Sequence, residues 1–336
     1  MSNQTDNPRS SVRCSRANIW HKYGPHFAFA SMAYPIGETA AIMTSVMWTM
    51  SSIFFAAAGK KIGSIAVNSI RIVIAIPLLC VVLFATTRTI FPVASQAQWF
   101  YMSLSGVIGL ALGDFAYFAA LVMLGPRRGV LVMAMAPIFT AFSAYFIMGE
   151  LLNALAILGV SLTLSGVFVA IMEREGASDD QPLTKKQKTL GIALGIGGAV
   201  GQGVGYALSR YGMVGIDPSH PLDPLPATLI RVLVATATIW FIVAVWGKLP
   251  DVAKGTKDRR ALQLTFGGAF VGPFMGVWLS MIAAANTVAG IAATLMSLMP
   301  IMVIPVVWVL YKQKTSWRGI VGACVAVIGV AILFMV

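Results

Sequence analysis

The sequence predicts an all-α integral membrane protein, with ten transmembrane helices arranged as two inverted five-helix repeats. Three observations carry this prediction. Of 336 residues, 58% are hydrophobic and only 11% charged, whereas a soluble globule carries about 25% charged residues to keep its surface in water. The apolar residues gather in runs long enough to cross about 30 Å of hydrocarbon at about 1.5 Å per residue. Finally, the chain matches itself when shifted by a nearly constant offset, the mark of an internal repeat.

The apolar runs lie near 36–58, 65–85, 99–123, 130–148, 152–172, 189–209, 226–246, 261–284, 288–310 and 318–335. They do not alternate between polar and apolar residues. That excludes barrel strands, which need only about ten residues each. Residues 1–35 are polar and lack the apolar core and small-residue cleavage site of a signal peptide. They read as an N-terminal tail.

An offset of 163 places Gly109 on Gly272, Gly113 on Gly276, Pro137 on Pro300, Gly159 on Gly322 and Gly166 on Gly329. Nearer the start of each half, at an offset of 160, NSIRIVIA (68–75) matches TLIRVLVA (228–235), with Arg71 on Arg231. The halves are therefore 36–172 and 189–335, joined by a polar linker over 173–188. Five spans per half is an odd number, so the second half enters from the opposite side. Inverted repeats of this kind are common in secondary transporters, whose substrate sits between the halves near the midplane.

Composition also excludes function classes. The net charge of +12 sits in short gaps between apolar runs, as loops flanking membrane helices require. No basic stripe with interleaved aromatics marks a nucleic-acid binder. The cysteines, Cys14, Cys80 and Cys324, are far apart and form no pairing pattern. The histidines, His21, His26 and His220, lie in polar segments. No metal-ligand spacing, nucleophile elbow or phosphate loop is present. The sequence thus predicts no enzyme, no metal and no cofactor. The expected partners are a small organic solute, protons as the candidate coupling ion, and the lipid bilayer.

Two five-span halves, each with Arg in its second span, Pro in its fourth and a glycine-spaced fifth, resemble the EamA-type members of the drug/metabolite transporter superfamily. The residues that carry the resemblance are Trp48, Arg71, GDFAYFAAL (113–121) and APIFTAFSAYFIMGELL (136–152) in the first half. In the second half they are LSRYGM (208–213), GPFMGVWLS (272–280) and LMPIMVIPV (298–306). The resemblance covers 36–172 and 189–335. It implies a ten-helix exporter of metabolites or drugs, working by proton antiport or facilitated exchange. One departure is KQK (312–314), which stands where the first half has Gly149-Glu150.

The candidate site residues are those that lipid tolerates least. A carboxylate at a helix centre costs at least about 2.5–3.5 kcal/mol, so Asp114 needs a reason to be there. Arg71 lies at similar depth in the preceding span and is its expected partner. Arg231, the repeat mate of Arg71, has Val277 where the first half has Asp114. Glu38, near the end of span one, is the acid expected to pair with Arg231. Asp114 is also the candidate proton-coupling group. Gln202 and Tyr206, four apart in span six, read as packing residues or cavity lining. The same choice applies to the intramembrane aromatics Trp48, Tyr117 and Trp278. Gly197, Gly201 and Gly205 repeat every four residues and predict a close helix crossing. Pro137 and Pro300 are expected to kink spans four and nine as gates.

An even number of spans places both termini on one side, here side A. Outside the spans, six basic residues fall there (Arg9, Arg13, Arg16, Lys22, Arg88 and Arg210). Sixteen fall on side B, at 60–61, 127–128, 174–188, 248–260 and 312–318. The positive-inside rule puts side B in the cytoplasm, while the resemblance implies termini inside. The expected location is the plasma (inner) membrane. The alternative reading to transport is a membrane-embedded scaffold or lipid-handling protein without solute turnover.

Overall fold

The computed structural model describes residues 35–124, 129, 132–172, 184–299, 301–302 and 317–336. Among these the chain is helical and has no strand. Helix α1 is Ile36–Ile62 and α2 is Ser64–Thr87. Helix α3 comprises Gln96–Ser105, a wider π-helical stretch Gly106–Gly113, and Asp114–Leu124. Then follow α4 (Ala136–Met148), α5 (Ala154–Met172) and α6 (Lys185–Arg210), the last of which ends in a π turn, Tyr211–Gly215. Helix α7 is Pro224–Val245 and α8 is the short Leu249–Gly255. Helix α9 repeats the plan of α3, with Arg259–Ala269, a π stretch Phe270–Gly276 and Val277–Asn286. Helices α10 (Ala289–Met296) and α11 (Trp317–Leu333) complete the order.

Six of these are long and apolar enough to cross a membrane: α1, α2, α3, α6, α7 and α9. Apolar runs four, five, nine and ten hold the shorter helices α4, α5, α10 and α11. The expected ten full-length spans are thus six spans plus shorter apolar helices among the described residues. Runs four and nine are interrupted at equivalent places. A turn at Ala134-Met135 precedes α4, and a turn at Ser297-Leu298 follows α10.

Local chemistry accounts for several boundaries. Ser95 and Gln98 form a reciprocal capping box that starts α3, and Thr184 and Gln187 form another that starts α6. Each satisfies N–H groups the first turn leaves free. Gly149, at φ 71°, ends α4 in the left-handed conformation and delivers Glu150 to the turn beyond.

Inside, small residues and hydroxyls mix with apolar side chains, and large apolar side chains also face outward. Phe142, Phe146 and Phe241 are 64%, 67% and 69% exposed, which hydrocarbon tolerates and water does not. Buried hydroxyls bond back to their own helices, as Thr44 does to the Ala40 carbonyl and Thr163 to that of Gly159, both at 2.8 Å. Intramembrane packing favours such small residues because lipid supplies no hydrophobic drive for helix association.

Repeat mates pack on each other. Helices α5 and α11 cross antiparallel with their backbones in contact. A methyl group added to Gly166 would lie 2.5 Å from the Gly322 carbonyl oxygen, and one on Gly329 2.7 Å from that of Gly159. These two contacts exchange under the 163-residue offset, so the crossing maps onto itself.

Candidate functional site

The site begins with glycine. Helices α3 and α6 run antiparallel, and α6 lays a smooth face on the π stretch of α3. A methyl group at Gly205 would sit 2.7 Å from the Gly109 Cα, one at Gly201 2.9 Å from the Gly113 Cα, and one at Gly198 3.0 Å from the Tyr117 backbone nitrogen. Gly197 faces open space. The face expected on Gly197, Gly201 and Gly205 is therefore Gly198, Gly201 and Gly205. A strict spacing of four drifts off a helix of about 3.6 residues per turn.

That crossing brings Gln202 to Asp114, across the two repeats. The Gln202 Nε2 donates to Asp114 Oδ1 at 2.6 Å and to the Gly109 carbonyl at 3.2 Å. Arg71 Nη2 donates to Asp114 Oδ2 at 2.8 Å, and Arg71 Nε to Asn68 Oδ1 at 2.9 Å. The Arg71 guanidinium lies between the Phe55 and Phe118 rings, 5.1 Å and 5.2 Å from their centroids. Both charged side chains are largely buried, at 14% and 16% exposure. Each carboxylate oxygen has a donor, and charge-assisted bonds of this kind offset much of the desolvation of both ions. The structure thus brings Arg71, Asp114 and Gln202 together.

It does not bring Arg231 and Glu38 together. Glu38 Oε1 instead accepts from Thr287 Oγ1 at 2.5 Å. Arg231 is 3% exposed, its Nη1 contacts Met281 Sδ at 3.2 Å, and its Nε has no hydrogen-bond partner. Depth explains the failure. Glu38 sits in the first turn of α1, whereas Arg231 lies seven residues past Pro224, about 10 Å into its helix. There its side chain turns toward α3 and α9.

Sequence reasoning missed a third cluster. Arg210, at the end of α6, pairs through Nε with Glu150 Oε1 and donates from Nη1 to the Ala284 carbonyl. Glu150 Oε2 accepts from the Ala289 backbone N–H at 3.0 Å, at the start of α10. This cluster and the Glu38–Thr287 bond tie the start of α1 and the turn after α4, in the first repeat, to the end of α6 and the turn between α9 and α10, in the second. The signal was available: Glu150 is the one acid in the turn between runs four and five.

The remaining candidates are dispersed. The Trp48 indole lies against Gly276, with Nε1 2.8 Å from where a methyl group there would sit. Trp278 packs with Phe274, centroids 6.2 Å apart. Trp48 and Trp278 belong to different apolar clusters. Tyr117 stacks obliquely with Phe118 at 5.7 Å. The Tyr206 hydroxyl donates to the Ser280 carbonyl at 2.9 Å, a bond between α6 and α9. Pro137 is no mid-helix kink; it falls in the first turn of α4, where its missing N–H costs nothing. Pro300 lies outside the described residues.

These features define a class: a helical multi-pass membrane protein, duplicated, with ionisable side chains buried where the two repeats meet. The EamA-like transporter family model matches residues 35–172 and 189–335. The chain belongs to that family. One solved crystal structure of a protein shares its fold, with a TM-score of 0.67 at 16% identity, covering 88% of this chain and 94% of that one. No curated protein is a significant match to the chain.

Proposed function

We propose that this chain is a secondary transporter that exports a small organic solute across the plasma (inner) membrane by alternating access. In this reading its repeats, 36–172 and 189–335, are inverted five-span units joined by the linker 173–188. The antiparallel crossing of the repeat mates α5 and α11 supports the inversion. The solute passes at the seam between α3, α6, α7 and α9. The side-A bonds of Glu150, Arg210, Glu38 and Thr287 hold one face closed and release when the other closes.

The observation that carries the reading is the Asp114 network. A carboxylate bridged between an arginine of the first repeat and a glutamine of the second joins the two bodies that must move. An intramembrane ion of this kind is a functional site by default. Asp114 then couples transport to protons: protonation weakens its hold on Gln202 as well as on Arg71, and so loosens the bond between the two repeats. The test is proton flux in proteoliposomes carrying the full chain, with a solute library on one side. Solute-dependent proton movement is expected in the wild type and is lost in Asp114→Asn. An Asp114→Asn protein that transports with unchanged pH dependence places the coupling elsewhere.

A further inference from the structure

The least satisfied group among the described residues is Arg231. A guanidinium has five N–H donors in a rigid fork and stays charged throughout the accessible pH range. Here one donor meets a thioether and Nε meets nothing. No carboxylate lies within 4.0 Å among the described residues. The buried and span-end acids are committed elsewhere: Asp114 to Arg71 and Gln202, Glu150 to Arg210 and the Ala289 N–H, Glu38 to Thr287. A buried cation with no carboxylate in contact is among the costliest features a membrane protein carries.

A glycine, with no side chain of its own, packs directly against that cation. A methyl group on Gly109 would lie 3.4 Å from Arg231 Nη2, so any larger side chain there would press on the guanidinium. The residue equivalent to the first repeat's acid is Val277, which supplies no charge. Gln202, bonded to the Gly109 carbonyl, links this side of α3 to the Asp114 network.

We infer that Arg231 is the counter-ion for a negatively charged group, a carboxylate or phosphate, on the transported solute. This rests on the transport reading above and narrows it to organic anions. The first repeat supplies its own anion in Asp114; the second leaves the place for the cargo. A planar fork with free donors suits either group in bidentate fashion.

The test reads binding without turnover. Full-length protein in detergent is melted with sodium formate, inorganic phosphate or neutral formamide, at constant ionic strength with chloride. Formate or phosphate is expected to raise the wild-type melting temperature by about 3 °C at about tenfold over Kd, and formamide to leave it unchanged. Arg231→Met is expected to melt no lower than wild type without anion, since it removes an uncompensated charge, and to lose the response. Arg231→Lys should keep it. An Arg231→Met protein that melts well below wild type, with no anion shifting the wild type, makes Arg231 a structural residue and overturns the inference. A response that survives in Arg231→Met puts the anion elsewhere and overturns it equally. Transport of a neutral or cationic solute by the wild type, unchanged in Arg231→Met, would also overturn it while leaving the transport reading intact. Arg231-dependent anion binding without flux in proteoliposomes would count against transport alone.

Discussion

The second and third spans of the first repeat, and their mates in the second, are built to one plan and charged to different ones. Both have an arginine at the equivalent place, Arg71 and Arg231. Both have a π-helical stretch that gives way to α-helix at the equivalent residue, Asp114 and Val277. In the first repeat the arginine meets a carboxylate at 2.8 Å. In the second it meets a methionine sulfur. The scaffold is therefore symmetric while the electrostatics are not, and the excess cation lies where the two repeats pack.

The largest effect should come from making the first repeat resemble the second. Asp114→Ala leaves Arg71 buried beside two aromatic rings without its acid, and is expected to destabilise the fold by about 3–5 kcal/mol. Unfolding in detergent measures this. The Arg71→Ala, Asp114→Ala double variant should lose less than the sum of the singles. Additive losses would show that the two ions do not act as a pair.

A smaller effect separates the shared scaffold from the charge. Gly205→Ala forces a methyl group against the Gly109 backbone and should cost about 1–3 kcal/mol. Gly197→Ala, in step with the four-residue spacing but facing open space, should be neutral or gain up to about 1 kcal/mol. Thermal unfolding of the two variants side by side checks this. Equal effects at the two positions would mean that α3 and α6 do not cross where described.

The subtlest change makes the second repeat resemble the first. Val277→Asp offers Arg231 an acid, and a cycle with Arg231→Met should give a favourable coupling of about 0.5–3 kcal/mol. The same substitution should abolish the anion response of the otherwise intact protein. Zero coupling would mean that the repeat symmetry does not extend to side-chain direction.

Much of this is legible in the sequence because lipid permits so few explanations for a charge. Asp114 and Arg71 lie at similar depth in neighbouring spans, and depth along a helix can be counted from the sequence at about 1.5 Å per residue. Rotation about the helix cannot be counted so well. That is why the sequence points Glu38 at Arg231 while the fold sets it on Thr287, and why the glycine face lies on Gly198 and not on Gly197. The π stretches are not legible, since a wide turn differs from an α turn by hydrogen-bond partner and not by composition. Glu150 and Arg210 enter the sequence reading only as parts of the resemblance and the charge count, not as partners, because each sits at a span end, where a charge is ordinarily solvated and needs no partner.

The crossing of α5 and α11 has a consequence for ancestry. Its contacts, Gly166 on Gly322 and Gly329 on Gly159, exchange under the repeat, so a single glycine pattern suffices to write both. Two identical half-length chains lying head to tail would make one such crossing, with the same contact made twice, as a self-complementary pair. A dimer of such half-length chains would need no new surface at this crossing, since the one pattern supplies both sides of it.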